Sequence, residues 1–316
     1  MSFVDEVREV HARIEPHLRR TPLEASPMLS ERSGCPVFLK LENFQRTGSF
    51  KIRGALSKLT RLGEDQRARG IVAASSGNHG LAVAQGAADL GCPARIFVPS
   101  VASASKVEAI RRLGAEVVEQ GSDCVESEAA ARENARRHGS IYLSPYNDED
   151  VIAGQGTLGL ELLEQRPTLR GVVTSLGGGG LISGVGGFLK EAVGDLLVLA
   201  ASPRESCVMH ESLREGHIVQ RESGPTLSDG TAGGVEPDSV TFPRCQRVVD
   251  ESRTVSEAEI RQTMRELIRD HRFLVEGAAA VAVAAFLQDP RPFAGREVAI
   301  VLCGGNVGLD VLRDVL

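Results

Sequence analysis

The chain has 316 residues, 42% of them apolar and 25% charged, which fits a soluble globular protein with length for two domains. A net charge of −6 without a long basic run argues against nucleic acid or an anionic membrane as partner, and no apolar stretch reaches the roughly 18 residues of a membrane span. Residues 1–14 lack a signal-peptide core, and six cysteines without CxxC spacing read as free thiols in a reducing cytoplasm.

Apolar runs at 37–41, 70–74, 94–98, 116–119, 141–143, 172–176, 196–201 and 298–303 predict strands. Amphipathic stretches between them, such as 106–113, 125–137 and 255–271, predict helices. This alternation implies an α/β protein with parallel sheets covered by helices. Ligands of such sheets bind beyond the strand carboxyl ends, at helix N-termini. No repeat or Pro/Ser-rich linker marks a boundary. We place the breaks in short connections, giving a small domain of 70–147 inserted into a larger one of 1–69 and 148–316.

Lys51 stands in Gly48-Ser49-Phe50-Lys51-Ile52-Arg53-Gly54, a turn between a strand and a helical stretch. A lysine amine there can form a Schiff base with an aldehyde cofactor, provided it sheds its proton. Ser75-Ser76-Gly77-Asn78-His79-Gly80 follows the second predicted strand. Its hydroxyl and backbone donors suit a carboxylate; a plain helix N-cap is the alternative. His79 reads either as catalytic or as bonded to backbone. Gly177, Gly178, Gly179 and Gly180 join a buried strand to the helical run 181–192. Bare N–H groups there make an anion site, against the alternative of a flexible turn. Neither the GxGxxG dinucleotide spacing nor a P-loop lysine is present. Glu276, an acid in an apolar context at a helix start, reads as a favourable helix-end charge or as a site residue. Cys303 ends an apolar strand before Gly304-Gly305-Asn306 and reads as a small hydrophobe or a site residue. No HxxxH, CxxC or acid-rich loop suggests a metal.

These four segments, in this order and spacing, resemble the serine/threonine dehydratase and serine racemase branch of the fold-type II pyridoxal-phosphate enzymes. Leu41-Glu42-Asn43 and Val151-Ile152-Ala153-Gly154-Gln155-Gly156-Thr157 extend the likeness, which covers essentially the whole chain. The resemblance implies a tryptophan-synthase-β-like fold with the site between two open sheets. It implies Lys51 as the Schiff-base lysine and Cα base, Phe50 against the cofactor ring, and Asn78 at its phenolic oxygen. It implies glycines 177–180 at its phosphate and Cys303 opposite the pyridine nitrogen. Ser75, Ser76, Gly77, Asn78 and His79 would hold the substrate carboxylate.

The implied activity is an L-threonine/L-serine ammonia-lyase of the cytoplasm, a homodimer by family expectation, yielding a 2-oxo acid and ammonia. A racemase, or a dehydratase of hydroxyaspartate or phenylserine, is the alternative. Ser76 matches the racemases' second acid/base. The racemase metal positions instead read Ser202 and Val208, so no metal is expected. The end at Leu316 implies no C-terminal regulatory domain. Arg132 resembles a racemase arginine near the substrate's distal end; as part of a predicted exposed helix, its favoured reading is a solvated charge.

Overall fold

The computed structural model describes all 316 residues. Ten strands form: β1 (Leu23–Ala25), β2 (Val37–Leu41), β3 (Ile71–Ala74), β4 (Ala94–Val98), β5 (Glu116–Glu119), β6 (Ile141–Tyr142), β7 (Leu169–Ser175), β8 (Leu197–Pro203), β9 (Glu251–Val255) and β10 (Glu297–Leu302). They make a six-stranded sheet ordered β1-β2-β10-β7-β8-β9 and a four-stranded sheet ordered β5-β4-β3-β6. Every pairing is parallel except that of β1 with β2. The central strands β7 and β10 are almost wholly buried, as expected of parallel strands covered on both faces. The helix Gly277–Gln288 packs on β7, β8 and β10 and is buried from Gly277 through Phe286, so its sequence is apolar all round.

The two strands absent from the sequence-based prediction are the sheet's edges. β1 has three residues, two of them exposed. β9 reads Glu-Ser-Arg-Thr-Val and buries only Val255. Edge strands need no apolar run. The helix predicted from 255 begins instead at Glu257, where Ser256 and Glu259 form a reciprocal capping box.

Two features fix the start of the helix Lys51–Arg61. A hydrophobic cluster beneath the small sheet joins Ile71, Ile96 and Val98 to Val10, Ile14, Ile52, Leu56 and Leu59, so this helix serves both sheets. On its other side Arg53, fully buried, donates to Glu42 at 2.8 Å and Glu161 at 2.7 Å. Lys40, also buried, donates to Glu161 at 2.6 Å, and Thr21 donates to Glu42 at 2.6 Å. Arg53, Lys40, Glu42 and Glu161 thus partner one another, with Thr21 as a further donor, as burial of charge requires.

Candidate active site

A cavity of about 620 Å³ opens beyond the carboxyl ends of β3, β7 and β10, within the usual range for a small-molecule site. The lysine turn is stitched to the end of β10. Phe50 N–H donates to the Cys303 carbonyl at 3.0 Å, Gly305 N–H to the Gly48 carbonyl at 2.8 Å, and Ser49 bridges Gly304. This places Lys51 at the first turn of its helix, facing the cavity. Its Nζ donates to the Pro145 carbonyl at 2.8 Å and lies 5.2 Å from the Phe50 ring centre. Burial lowers the amine to about 8, against the opposing pull of Cys303 and Glu276.

Ser75, Ser76, Gly77, Asn78 and His79 line the facing wall, where the helix Asn78–Asp89 begins. Ser75 Oγ accepts from the Gly77 amide at 3.1 Å. His79 is buried and donates Nε2–H to the Leu143 carbonyl at 2.8 Å. Burial, reinforced by the nearby Lys51 charge, drops its imidazole to about 3. The ring is therefore neutral and occupied, which favours the structural reading of His79 over a catalytic one.

Glu276, left open from sequence between a helix-end charge and a site residue, lies inside the site. Its side chain makes no cap to its own helix. It accepts from Asn78 Nδ2 at 2.9 Å on both oxygens, while Asn306 Nδ2 donates to Asn78 Oδ1 at 2.7 Å. Cys303 Sγ lies 3.8 Å from Glu276 Oε1 and 3.5 Å from Ser175 Oγ. Burial lifts Glu276 to about 7, opposed by the Asn78 hydrogen bond. Burial and the neighbouring Glu276 raise the Cys303 thiol far above its usual range, so Cys303 is neutral. A β-carbon on Gly304 would meet the carboxylate at 2.6 Å; only bare backbone lets Glu276 approach.

The glycine run has structural causes that the sequence does not disclose. Gly179 sits at φ +88°, and a β-carbon on Gly178 would lie 2.5 Å from the Tyr146 ring. A β-carbon on Gly177 would lie 2.9 Å from the Thr231 carbonyl oxygen, so backbone conformation and packing account for three of the four residues. The run still presents a usable anion site. The helix Gly180–Val193 starts there, the glycines line the cavity, and the amides of Gly177, Gly178 and Gly179 donate to no protein acceptor. Unpaired N–H groups at a helix N-terminus fit a phosphate.

Arg132 is the one sequence-nominated residue that does not line the cavity. It stacks 4.2 Å from the Tyr142 ring centre and pairs with Glu128 at 2.7 Å and Glu236 at 2.9 Å. Ser202, buried in β8, donates to the Leu176 carbonyl at 2.8 Å. The loop 229–234, unremarked in the sequence reading, forms one wall of the cavity. Its signal was Gly230, Gly233 and Gly234 within five residues of aperiodic sequence.

A profile of pyridoxal-phosphate dependent enzymes matches residues 14–304, and the chain belongs to that family. It is 40% identical over its whole length to L-threonine ammonia-lyase of Thermotoga maritima, spanning 78% of that protein. It is 37% identical to the beta-hydroxyaspartate dehydratase of Paracoccus denitrificans, over 98% of this chain and 97% of that one. Maize serine racemase superposes with a TM-score of 0.93 at 33% identity, over 99% of this chain and 96% of the other. The fold is therefore that of fold-type II enzymes, and the chain is a lyase of the ammonia-lyase and dehydratase group.

Proposed function

We propose that this chain is a pyridoxal-phosphate-dependent L-threonine/L-serine dehydratase that forms a 2-oxo acid and ammonia. The observation that carries the reading is the placement of Lys51 Nζ in one cavity with the free amides of Gly177, Gly178 and Gly179. An amine and a phosphate cradle are what pyridoxal phosphate requires at its two ends, so the residues present fit that cofactor. Gly177–Gly180 would hold its phosphate, Phe50 its ring face, Asn78 its phenolic oxygen and Cys303 its ring nitrogen. When bound, the group supplies an aldehyde for amines and a ring that takes up the electron pair left at Cα.

The chain's own residues do the rest. The Ser75–His79 loop orients the substrate carboxylate. Lys51 Nζ removes the Cα proton; burial keeps a usable fraction of it neutral near pH 8. The neutral Cys303 thiol leaves the ring nitrogen without a compensating negative charge from that side. Ser76 stands as the donor for a racemisation side reaction. No metal takes part in this scheme.

The inserted 70–147 segment would act as the smaller domain, with the cavity at its border. The protein would work as a cytoplasmic homodimer on free amino acids; no helix is long and apolar enough to cross a membrane. Release of 2-oxo acid from L- and D-serine, L-threonine, 3-hydroxyaspartate and phenylserine tests the reading. Turnover led by L-threonine or L-serine supports it; turnover confined to another substrate, or inversion without 2-oxo acid, replaces it.

A further inference from the structure

Lys106 stands on the small-sheet wall of the cavity and Arg132 lies just behind that wall, and both are already engaged. Lys106, on the cavity wall, pairs with Asp229 across the opening at 3.1 Å. Arg132, just behind the wall, is held by Glu128 and Glu236 and stacked on Tyr142. Three carboxylates thus face two cations on this side of the cavity, one negative charge in excess; of the five groups, Lys106, Glu128 and Asp229 line the cavity itself. The relatives described above include proteins named for threonine and for β-hydroxyaspartate, whose side chains differ by a carboxylate. A site that discriminates between these two substrates does so by the charge it presents to that group.

We infer that Asp229, with Glu128 and Glu236, is a specificity device that reserves this site for amino acids with uncharged side chains. An acidic side chain would need a free ammonium or guanidinium at the distal end. Here it would have to displace a carboxylate already in place, and the displaced group would remain nearby as an unpaired like charge. An uncharged hydroxyalkyl side chain meets no such obstacle. The inference rests on the proposed dehydratase reading and narrows its substrate class.

The holoenzyme and its Asp229→Asn and Asp229→Asn/Glu236→Gln variants test this. Asp229 is mostly exposed, so folding is not at issue. The readout is the ratio of kcat/KM for 3-hydroxyaspartate to that for L-serine. We expect L-serine to lead in the parent and the ratio to rise at least about tenfold in the double variant, mainly through KM. A parent that prefers 3-hydroxyaspartate, or a double variant within twofold of it, overturns the inference. Calorimetric titration with succinate and butyrate reads the same charge without turnover. Butyrate should bind more tightly than succinate in the parent, and the gap should close in the double variant; an unchanged gap counts against the screen. Should no 2-oxo acid form from any substrate, the dehydratase reading fails, while the titration still decides the screen.

Discussion

Asn78 Nδ2 donates to both carboxylate oxygens of Glu276 at 2.9 Å, although the two residues are 198 positions apart. Each opens a helix, one on the small sheet and one on the large. Asn306 holds the other end of the Asn78 amide, so the orientation of that amide is fixed at both atoms. The same carboxylate approaches Cys303. The residues assigned to two polar edges of the cofactor ring therefore share one titratable neighbour. A change in the charge of Glu276 reaches both.

Burial raises the Glu276 carboxyl to about 7, well above its unfolded value near 4.3. Between these values the folded protein holds a proton that the unfolded chain has released. This contribution is complete below the unfolded pKa and is lost as pH rises through about 7. Glu276→Gln removes it. The cofactor-free variant should gain stability relative to the parent as pH rises from 5 to 8, by a total on the order of 3 kcal/mol. His79 contributes oppositely in the acid range, but equally in both proteins; loss of the upward pull of Glu276 on the Lys51 amine acts in the same direction as the main effect, toward pH 8. Denaturant midpoints that shift in parallel across this range would show that Glu276 titrates normally.

Lys51→Ala should lower 2-oxo acid production by roughly a thousandfold or more, with loss of the visible absorption that borohydride bleaches in the parent. Lys51→Arg should fail equally, since its charge persists but its amine does not. In the parent, kcat should rise with pH around 8, where the Lys51 amine, freed once substrate occupies the site, loses its proton. A Lys51→Ala variant that still turns over would mean the base is another residue.

The central strands were legible because buried parallel strands write themselves as apolar runs: β2 and β4 match the sequence-based bounds and β10 is displaced by one residue, while β5, an edge of the small sheet, also matches through Val117 and Val118. β1 and β9 were not, because an edge strand of Glu, Ser, Arg and Thr carries no such signal. Lys51, Asn78 and glycines 177–180 were legible as residues misplaced for ordinary structure. Glu276 was not, because its role depends on Asn78 and Cys303, which only the tertiary fold brings near. Arg132 shows the converse: its local sequence resembled a ligand, yet partners from another segment, Glu236 and Tyr142, decide where it points.

Ser76 lines the cavity beside Asn78 while Lys51 approaches from the lysine turn. Ser76→Ala should leave 2-oxo acid formation from L-serine within a few-fold of the parent and remove any D-serine formed alongside it. Chiral chromatography of the reaction mixture checks this. Equal loss of both products would refute a face-specific role.

Gly178→Ala separates packing from ligand binding in the glycine run. The added methyl would overlap the Tyr146 ring, and such overpacking costs about 1–3 kcal/mol. The cofactor-free variant should therefore already melt below the parent. Adding Tyr146→Leu should recover part of the loss. A cofactor-free protein of unchanged melting temperature would mean that Gly178 serves the ligand alone.

Arg53 is two residues from Lys51 on the same helix, and its guanidinium bonds both Glu42 and Glu161 with no exposure to solvent. Arg53→Met leaves Glu42 buried with Thr21 as its remaining side-chain donor and leaves Glu161 to Lys40 alone. Breaking a buried pair by removing one partner costs about 3–5 kcal/mol, whereas replacing both partners by apolar groups is often neutral. Urea unfolding should show that loss for Arg53→Met, and Arg53→Met/Glu42→Leu should recover a substantial part. The residual Arg53→Met enzyme should also lose kcat more than it raises KM for L-serine, because the network anchors the turn that presents Lys51. A drop in stability with kcat unchanged would confine Arg53 to the core.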